Sequence, residues 1–551
     1  MRKRIITIGL AIALLLGIIP LGVASVAQAV NNPIGATIYA SGYYSMAIKV
    51  DGSLWTWGTN SYGQLGDGTR VSKSSPVKIM DDVLVLSHGA GNPMAIKTDG
   101  SLWAWGYNYH GLIGDGTSAN WYTTPIKIMD DVFTVSAGYE YTMAIKTDGS
   151  LWAWGDNELG QLGDGTTIKR NSPVKIMDDV VAVSTGFTHT MAIKTDGSLW
   201  AWGNNAYGQL GNDTTTNRST PVKIMDGVAD VLAGRHHTMA IRTDGSLWGW
   251  GGNGLNQLGD GTTIMRTSPV KIMDSVVSAS VSSYYTTATK TDGSLWIWGD
   301  NELGQLGDGT HVSKSSPVKI MDGVAAVTAK ASYTAVIKKD GSLWTWGYNH
   351  DGQLGDGTTE NKYTPVKIMD GAVSISIARE HMIAVKTDGS LWAWGDNYGC
   401  QLGDGTEEDR HSPVKIMDGV KISVQLPNDY VQVKINNENV IFSDQQPVIL
   451  ESRTYIPLRA VGEALGAEVS WEPTTQTALL KTDAIELSLA IGSKDMSVKN
   501  QDGSLYSVAM DVAPILVNNR TLLPIRFVAE EFGYKVTWDE VNRAVLITSL
   551  G

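Results

Sequence analysis

From about residue 35 to residue 420 the chain alternates short apolar runs with polar, glycine-rich breaks, in a fixed order. An apolar alternation such as VVAVST (180–185) leads to a variable tip. Then come MAIKTDG, SLWAWG, a long glycine-rich loop and SPVKIMDD. Each run is short and has period two, which predicts four strands per unit. The Asp-Gly step between the second and third runs predicts a tight hairpin, because such turns need positive φ. No segment within the unit has a helical period.

The motif DGSLWxWG begins at Asp51, Asp99, Asp148, Asp196, Asp244, Asp292, Asp340 and Asp388, in steps of 48 or 49 residues. These eight copies hold 16 of the 19 tryptophans, so the motif dominates packing. Residues i and i+2 of a strand share a face. Trp152 and Trp154 therefore point one way and Ala153 the other, giving each sheet one bulky face and one small face. Stacked sheets fit bulky to small, and a row would leave one large apolar face bare at its end. Closing the row removes that cost and predicts a mainly β fold, a β-propeller of four-stranded blades. Eight blades are favoured by the uniform spacing, with seven plus an appended copy as the alternative. The first copy lacks a PVKIM run before GATIYA (35–40), and the last copy ends in one at Pro413–Met417. The expectation is that 413–417 completes the first blade and locks the ring.

The run GFTHTMAIKTDGSLWAWGNNAYGQLG resembles the regulator of chromosome condensation repeat family, over about residues 35–420. The resemblance implies a propeller, usually of seven blades in that family. Its precedents include guanine-nucleotide exchange on a small GTPase and inhibition of a β-lactamase by a secreted bacterial propeller.

After Val420 the pattern changes. Residues 421–428 read as a linker, and 429–551 as strands with short helices containing an internal duplication. Arg453-Thr-Tyr-Ile-Pro-Leu-Arg459 recurs as Arg520-Thr-Leu-Leu-Pro-Ile-Arg526, and Glu463, Gly466 and Trp471 recur as Glu530, Gly533 and Trp538. Each half reads as a strand, a helix opened by proline, a glycine stop and a strand ending in tryptophan, a small α+β module of two similar halves. It is similar to the stalk domain named after the N-terminal region of copper amine oxidases, which in secreted bacterial proteins accompanies other modules. Residues 429–551 contain no histidine, so neither copper nor oxidase chemistry is carried over.

The N-terminus changes the expected location. MRKR precedes the apolar run 5–25, which is followed by Ala27-Gln28-Ala29. This reads as a secretory signal peptide over residues 1–29, with an uncleaved anchor as the alternative. The full chain has formal net charge −13, and cleavage would remove Arg2, Lys3 and Arg4 but no acid. An acidic chain argues against binding nucleic acid through phosphates. With Cys400 as its one cysteine, the chain can form neither an internal disulfide nor a thiolate cluster. The mature protein is expected in the bacterial extracellular space or at the cell surface, with no membrane attachment after cleavage and its oligomeric state open.

Candidate chemistry is sparse. Asp67, Asp115, Asp164, Asp260, Asp308, Asp356 and Asp404 occupy equivalent LGDGT loops, with Asn212-Asp213 in the fourth copy. One acid per loop is too few for calcium, so each aspartate is expected to cap its own turn. The cations of MAIK are expected to be paired with nearby acids or solvated. No GxSxG or HExxH occurs, and the histidines lack metal-ligand spacing. No enzyme activity, cofactor or metal is expected.

The KTDGS and MDD turns should share one face of the ring, and the tips and long loops the other. One tip position is nearly constant, with Tyr44, Tyr141, His189, His237, Tyr285, Tyr333 and His381, and Asn92 as the exception. It reads as structural, each ring packing over its neighbour. The variable positions carry the candidate partner-binding residues: Tyr43, Tyr107, Tyr109, Trp121, Tyr139, Phe187, Arg235, His236, Tyr284 and Arg379. Tyr, Trp and Arg are the types that anchor interfaces. Arg170, Arg218, Arg266, Tyr363 and Arg410 add to the loops. The expected function is a non-enzymatic binding scaffold for an extracellular protein or cell-wall polysaccharide. The alternatives are exchange-factor-like activity, implied by the resemblance, and a glycan-acting enzyme.

Overall fold

The computed structural model describes residues 36–88, 92–117, 119–330, 332–422, 432–436, 438–440, 448–450, 453–472, 474–517, 520–539 and 544–549. The segment read as a signal peptide and residues 423–428 of the linker lie outside them.

The first blade is β1 (Ile38–Ala40), β2 (Tyr44–Ile48), β3 (Leu54–Gly58) and β4 (Lys73–Met80), an antiparallel sheet in sequence order. Seven further sheets repeat it, ending with Arg410–Met417. First strands touch first strands at every junction round the ring, so they form the hub and the PVKIM strands the rim. A proline in each rim strand removes a donor from an open edge, which discourages edge-to-edge pairing.

The hairpin holds as its sequence predicts. Gly52 has φ 81°, and Asp51 Oδ1 accepts from Ser53 N–H (2.9 Å) and Ser53 Oγ–H (2.6 Å). Ser53 Oγ in turn accepts from Trp55 Nε1–H at 2.9 Å. The first tryptophan of each pair is half-buried, and in five blades the lysine of the second strand sits over its ring, as Lys49 does over Trp55 at 4.7 Å. In blades two to four that lysine also approaches an acid of the adjoining turn, Lys194 to Asp179 at 3.5 Å.

The second tryptophan of all eight pairs is fully buried. It packs on the small face of the preceding blade: Trp200 and Trp202 lie against Met143, Leu151 and Ala153. Its indole N–H donates across the junction to a loop carbonyl of that blade at 2.9–3.0 Å, in every case. The loop glycine beside that carbonyl must be glycine. A Cβ at Gly259 or Gly307 would stand 2.5 Å from the indole nitrogen.

Eight blades close the ring, but not through the strand expected to close it. Arg410–Met417 pairs with Leu391–Gly395 of its own blade. Each PVKIM strand belongs to the tryptophan strand before it, so no blade is short of one. What blade one lacks is the start of its hub strand. Val420 supplies this, bridging Lys49 as Val83 bridges Lys97 in blade two. Val50 N–H donates to Gly419 O at 2.9 Å and Lys421 N–H to Ile48 O at 2.8 Å. Trp57 donates to Gln401 O, and Ser376 Oγ accepts from Ala40 N–H at 2.9 Å.

The near-constant tip ring is structural, as expected. Its rings are buried and reach the next blade. Tyr285 Oη donates to Tyr333 O at 2.6 Å, and Tyr333 Oη to His381 O at 3.1 Å. His381 Nε2 lies 2.9 Å from Ser45 Oγ, which carries the series across the closing junction. Ser45 Oγ already donates to Gln401 O, so Nε2 carries the proton. Burial drives these imidazoles down, His189 and His381 to about 3 and His237 to about 4.

Residues 432–549 form a separate core with two seven-residue helices, Leu458–Ala464 and Ile525–Glu531. The duplicated strands Arg453–Pro457 and Arg520–Pro524 lie side by side, with Ile456 opposite Leu523. The halves therefore meet at their matching strands.

Two outcomes follow for stability. Trp57→Phe removes one of the two donors to the Gln401 carbonyl, leaves a void in the closing junction and should cost about 1–3 kcal/mol in denaturant titration. Trp202→Phe, at an ordinary junction, should cost the same, and a much smaller loss at Trp57 would mean an open ring. The three buried histidines stay neutral in the fold while an unfolded chain takes up their protons below about pH 6.5. Stability is then complete above that pH and falls towards pH 4, by up to about 1.4 kcal/mol per pH unit per histidine. Replacing His189, His237 and His381 by tyrosine, the residue of the equivalent blades, should flatten the decline in melting temperature.

Candidate functional site

The tips and long loops share one face. The loop begins by donating a backbone N–H to its own tip: Thr59 to Tyr43 O, Asn204 to Thr188 O, Gly252 to His236 O. A buried asparagine organises each loop. Asn60 Oδ1 accepts from Leu65 N–H at 2.9 Å, while Nδ2 donates to Asp67 Oδ1 at 3.0 Å and to Thr69 O at 3.1 Å.

The repeated loop aspartates cap their turns, as Asp67 does for Thr69 N–H at 2.9 Å. Each also faces a rim-strand cation in most blades. Arg170, Arg266 and Arg410 reach Asp164, Asp260 and Asp404 at 2.6 Å. Those three arginines were expected on the recognition surface and are instead tied into the loop frame. Burial raises the Asp164 carboxyl, but hydrogen bonds from Thr166, Arg170 and Asn157 outweigh it and hold it below the usual range. In blade four Asn212 takes the aspartate's place and accepts from Asn205 and Thr214, leaving Arg218 without that ion pair. Among the described residues no group of His, Cys, Asp and Glu is arranged to hold a metal.

Four of the candidate residues form a ladder across blades three to six. Tyr139 stacks on Phe187 with centroids 4.3 Å apart, and the Arg235 guanidinium lies 5.2 Å from the Phe187 ring. Arg235 Nη1 donates to Tyr284 Oη at 2.9 Å. Tyr139 is 48% exposed, so the ladder is open to a partner. Tyr107 and Tyr109 stack at 6.0 Å on blade two. Trp121 carries the Arg70 guanidinium 4.4 Å from its ring, and His236 packs on Tyr207 at 4.6 Å. Tyr43 and Arg379 are exposed and join neither group, Arg379 approaching Glu380 at 3.5 Å.

Sequence reasoning missed Tyr62, which meets Tyr107 edge-on at 5.1 Å, and Tyr207 and Arg70. Tyr62 and Tyr207 share one loop column, two residues after the buried asparagine. Comparing that column between copies would have found both. Blade eight is acidic: burial raises Glu380, helped by Asp396 and Asp351, and burial likewise raises Asp396, helped by Asp409 and Asp351.

This geometry defines an eight-bladed β-propeller with a framed, variable loop face. The family model described as RCC1-like domain matches residues 20–329, and the chain belongs to that family. Regulator of chromosome condensation (RCC1) repeat models match 324–353, 340–385 and 388–426, and the copper amine oxidase N-terminal domain matches 434–547. Such propellers are typically non-catalytic binding or exchange scaffolds, and no matching family is a catalytic one. Among solved structures, human WBSCR16 is similar at 22% identity over 57% of this chain and 94% of its own, TM-score 0.48. Prp20p from Saccharomyces cerevisiae, described with its binding properties to Gsp1p and histones, is similar at 20% identity over 59% and 88%, TM-score 0.49. No curated protein matches the sequence.

Tyr139 and Arg235 are exposed, Phe187 and Tyr284 are half-buried, and none of the four joins the blade cores, so Arg235→Ala should change unfolding free energy by no more than about 1 kcal/mol and Phe187→Ala by about 1–2 kcal/mol. A double-mutant cycle between Arg235 and Tyr284 should likewise show little coupling in stability.

Proposed function

We propose that this protein is a secreted or cell-surface binding scaffold whose loop face holds a partner without catalysis. The observation that carries this reading is the ladder Tyr139–Phe187–Arg235–Tyr284, which spans four blades at the solvent surface without serving the core. Exposed aromatic and arginine anchors held rigid are what interface hot spots consist of. Neighbours already cover the Phe187 and Tyr107 rings, leaving hydroxyls, guanidinium groups and ring edges to meet the partner. Sugars stack on open ring faces, so this favours a protein over a polysaccharide. The C-terminal module spaces or attaches the propeller.

The full-length protein, incubated with secreted and wall-associated material of the producing cells, should retain a specific partner. Arg235→Ala and Trp121→Ala should each weaken that complex by about 2 kcal/mol or more while the melting temperature stays fixed. Unchanged affinity in both variants would remove the loop face from the interaction. N-terminal sequencing of protein recovered outside the cell should begin at Val30.

A further inference from the structure

In six blades the residue that follows the hub strand, three before the buried tip ring, is small: Ser41, Gly138, Gly186, Gly234, Ser282 and Ala378. At the glycines the reason is steric. A Cβ would stand 2.1 Å from the Tyr141 ring at Gly138 and 2.3 Å from the His189 ring at Gly186. Blade seven breaks the rule with Lys330. Its hub strand, Val324–Lys330, runs one residue longer than the usual six, and Lys330 pairs with Tyr333.

The Lys330 side chain is half-buried and reaches past blade eight, its Nζ lying 5.7 Å from the centroid of Tyr39 in blade one. It therefore crosses the hub at the loop-face end. Among the described residues no carboxylate pairs with it, and the Tyr39 ring is its one charge-stabilising contact. The nearby His381 is kept neutral by burial first and by the Lys330 charge second. Burial alone brings the Lys330 ammonium down to about 8. A desolvated cation without an anion is destabilising. A site where the chain departs from its own local rule, without compensation in the fold, is where function is expected.

We propose that Lys330 anchors an oxyanion site at the centre of the loop face, where it receives a carboxylate or phosphate group from solvent. The ligand supplies the counter-charge the chain withholds, and Tyr39 forms one wall. The site lies at the hub, apart from the ladder, and does not depend on the ladder's role.

The test uses the full chain in sodium phosphate, sodium acetate or sodium chloride at equal ionic strength. Lysine acylation is followed residue by residue by mass spectrometry at pH 7.5, beside thermal unfolding. Phosphate or acetate should protect Lys330 against chloride by roughly threefold or more, because a bound anion keeps the amine protonated, while other lysines react unchanged. Lys330→Met should raise the melting temperature in chloride and lose the anion-dependent rise. Lys330→Arg should keep that rise. Equal anion responses in the wild type and Lys330→Met, or a melting temperature lowered by Lys330→Met in chloride, would overturn the proposal. The second result would make the side chain a structural element of the hub.

Discussion

The whole propeller depends on one contact made eight times: a buried indole N–H of one blade donating to a loop carbonyl of the blade before it. The contact couples packing to polarity. The tryptophan fills the recess over its neighbour's small face, and its nitrogen finds the acceptor that burial requires. The indole finds its acceptor only in the neighbouring blade, so no blade is complete alone. Glycine at the loop lets the backbone come close enough, which is why that glycine is as constant as the tryptophan itself. Trp57 and Gln401 make the same contact between the last and first blades, so the closing junction is chemically an ordinary one.

Two inner sets of contacts reinforce the clasp at most junctions. Tyrosines and histidines at the tips bond to the next blade, and hub serines such as Ser184 and Ser376 accept from the next blade's backbone. With the frame held at three radii, the outward tip and loop positions are free of structural duty. Neighbouring blades can then present an aromatic ladder, a cation over an indole, or an acidic sector without changing the fold. Lys330 is the place where variation enters the frame itself, setting a cation at the hub where other blades have a small residue.

Much of this was legible in the repeat because two-residue periodicity maps directly onto sheet faces. The Trp-x-Trp spacing placed both rings on one face, and the near-constant tip position read correctly as a structural ring. Other features were hidden. Asn60 and its equivalents look like polar loop residues, yet they are buried, because a loop curled over a sheet needs an internal donor and acceptor. Arg170, Arg266 and Arg410 looked like interface residues, but six residues separate each from an aspartate that the curled loop brings within 2.6 Å. Tyr62 and Tyr207 escaped notice because their column also holds leucine, histidine and glycine. The ring's lock was sought in 413–417 and lies in 419–421, since the repeat's phase cannot be read from where its motifs begin.

The sequence by itself determined the strands, their hairpins, the bulky and small faces and the number of repeats, since all of these rest on local geometry and side-chain volume. Tertiary structure alone decided which strand is the hub, where the circle closes and which exposed side chains meet. Tyr139, Phe187, Arg235 and Tyr284 are about 48 residues apart at each step and share no local signal. They become neighbours because closure sets equivalent positions of successive blades side by side, a consequence of the ring that no single repeat contains.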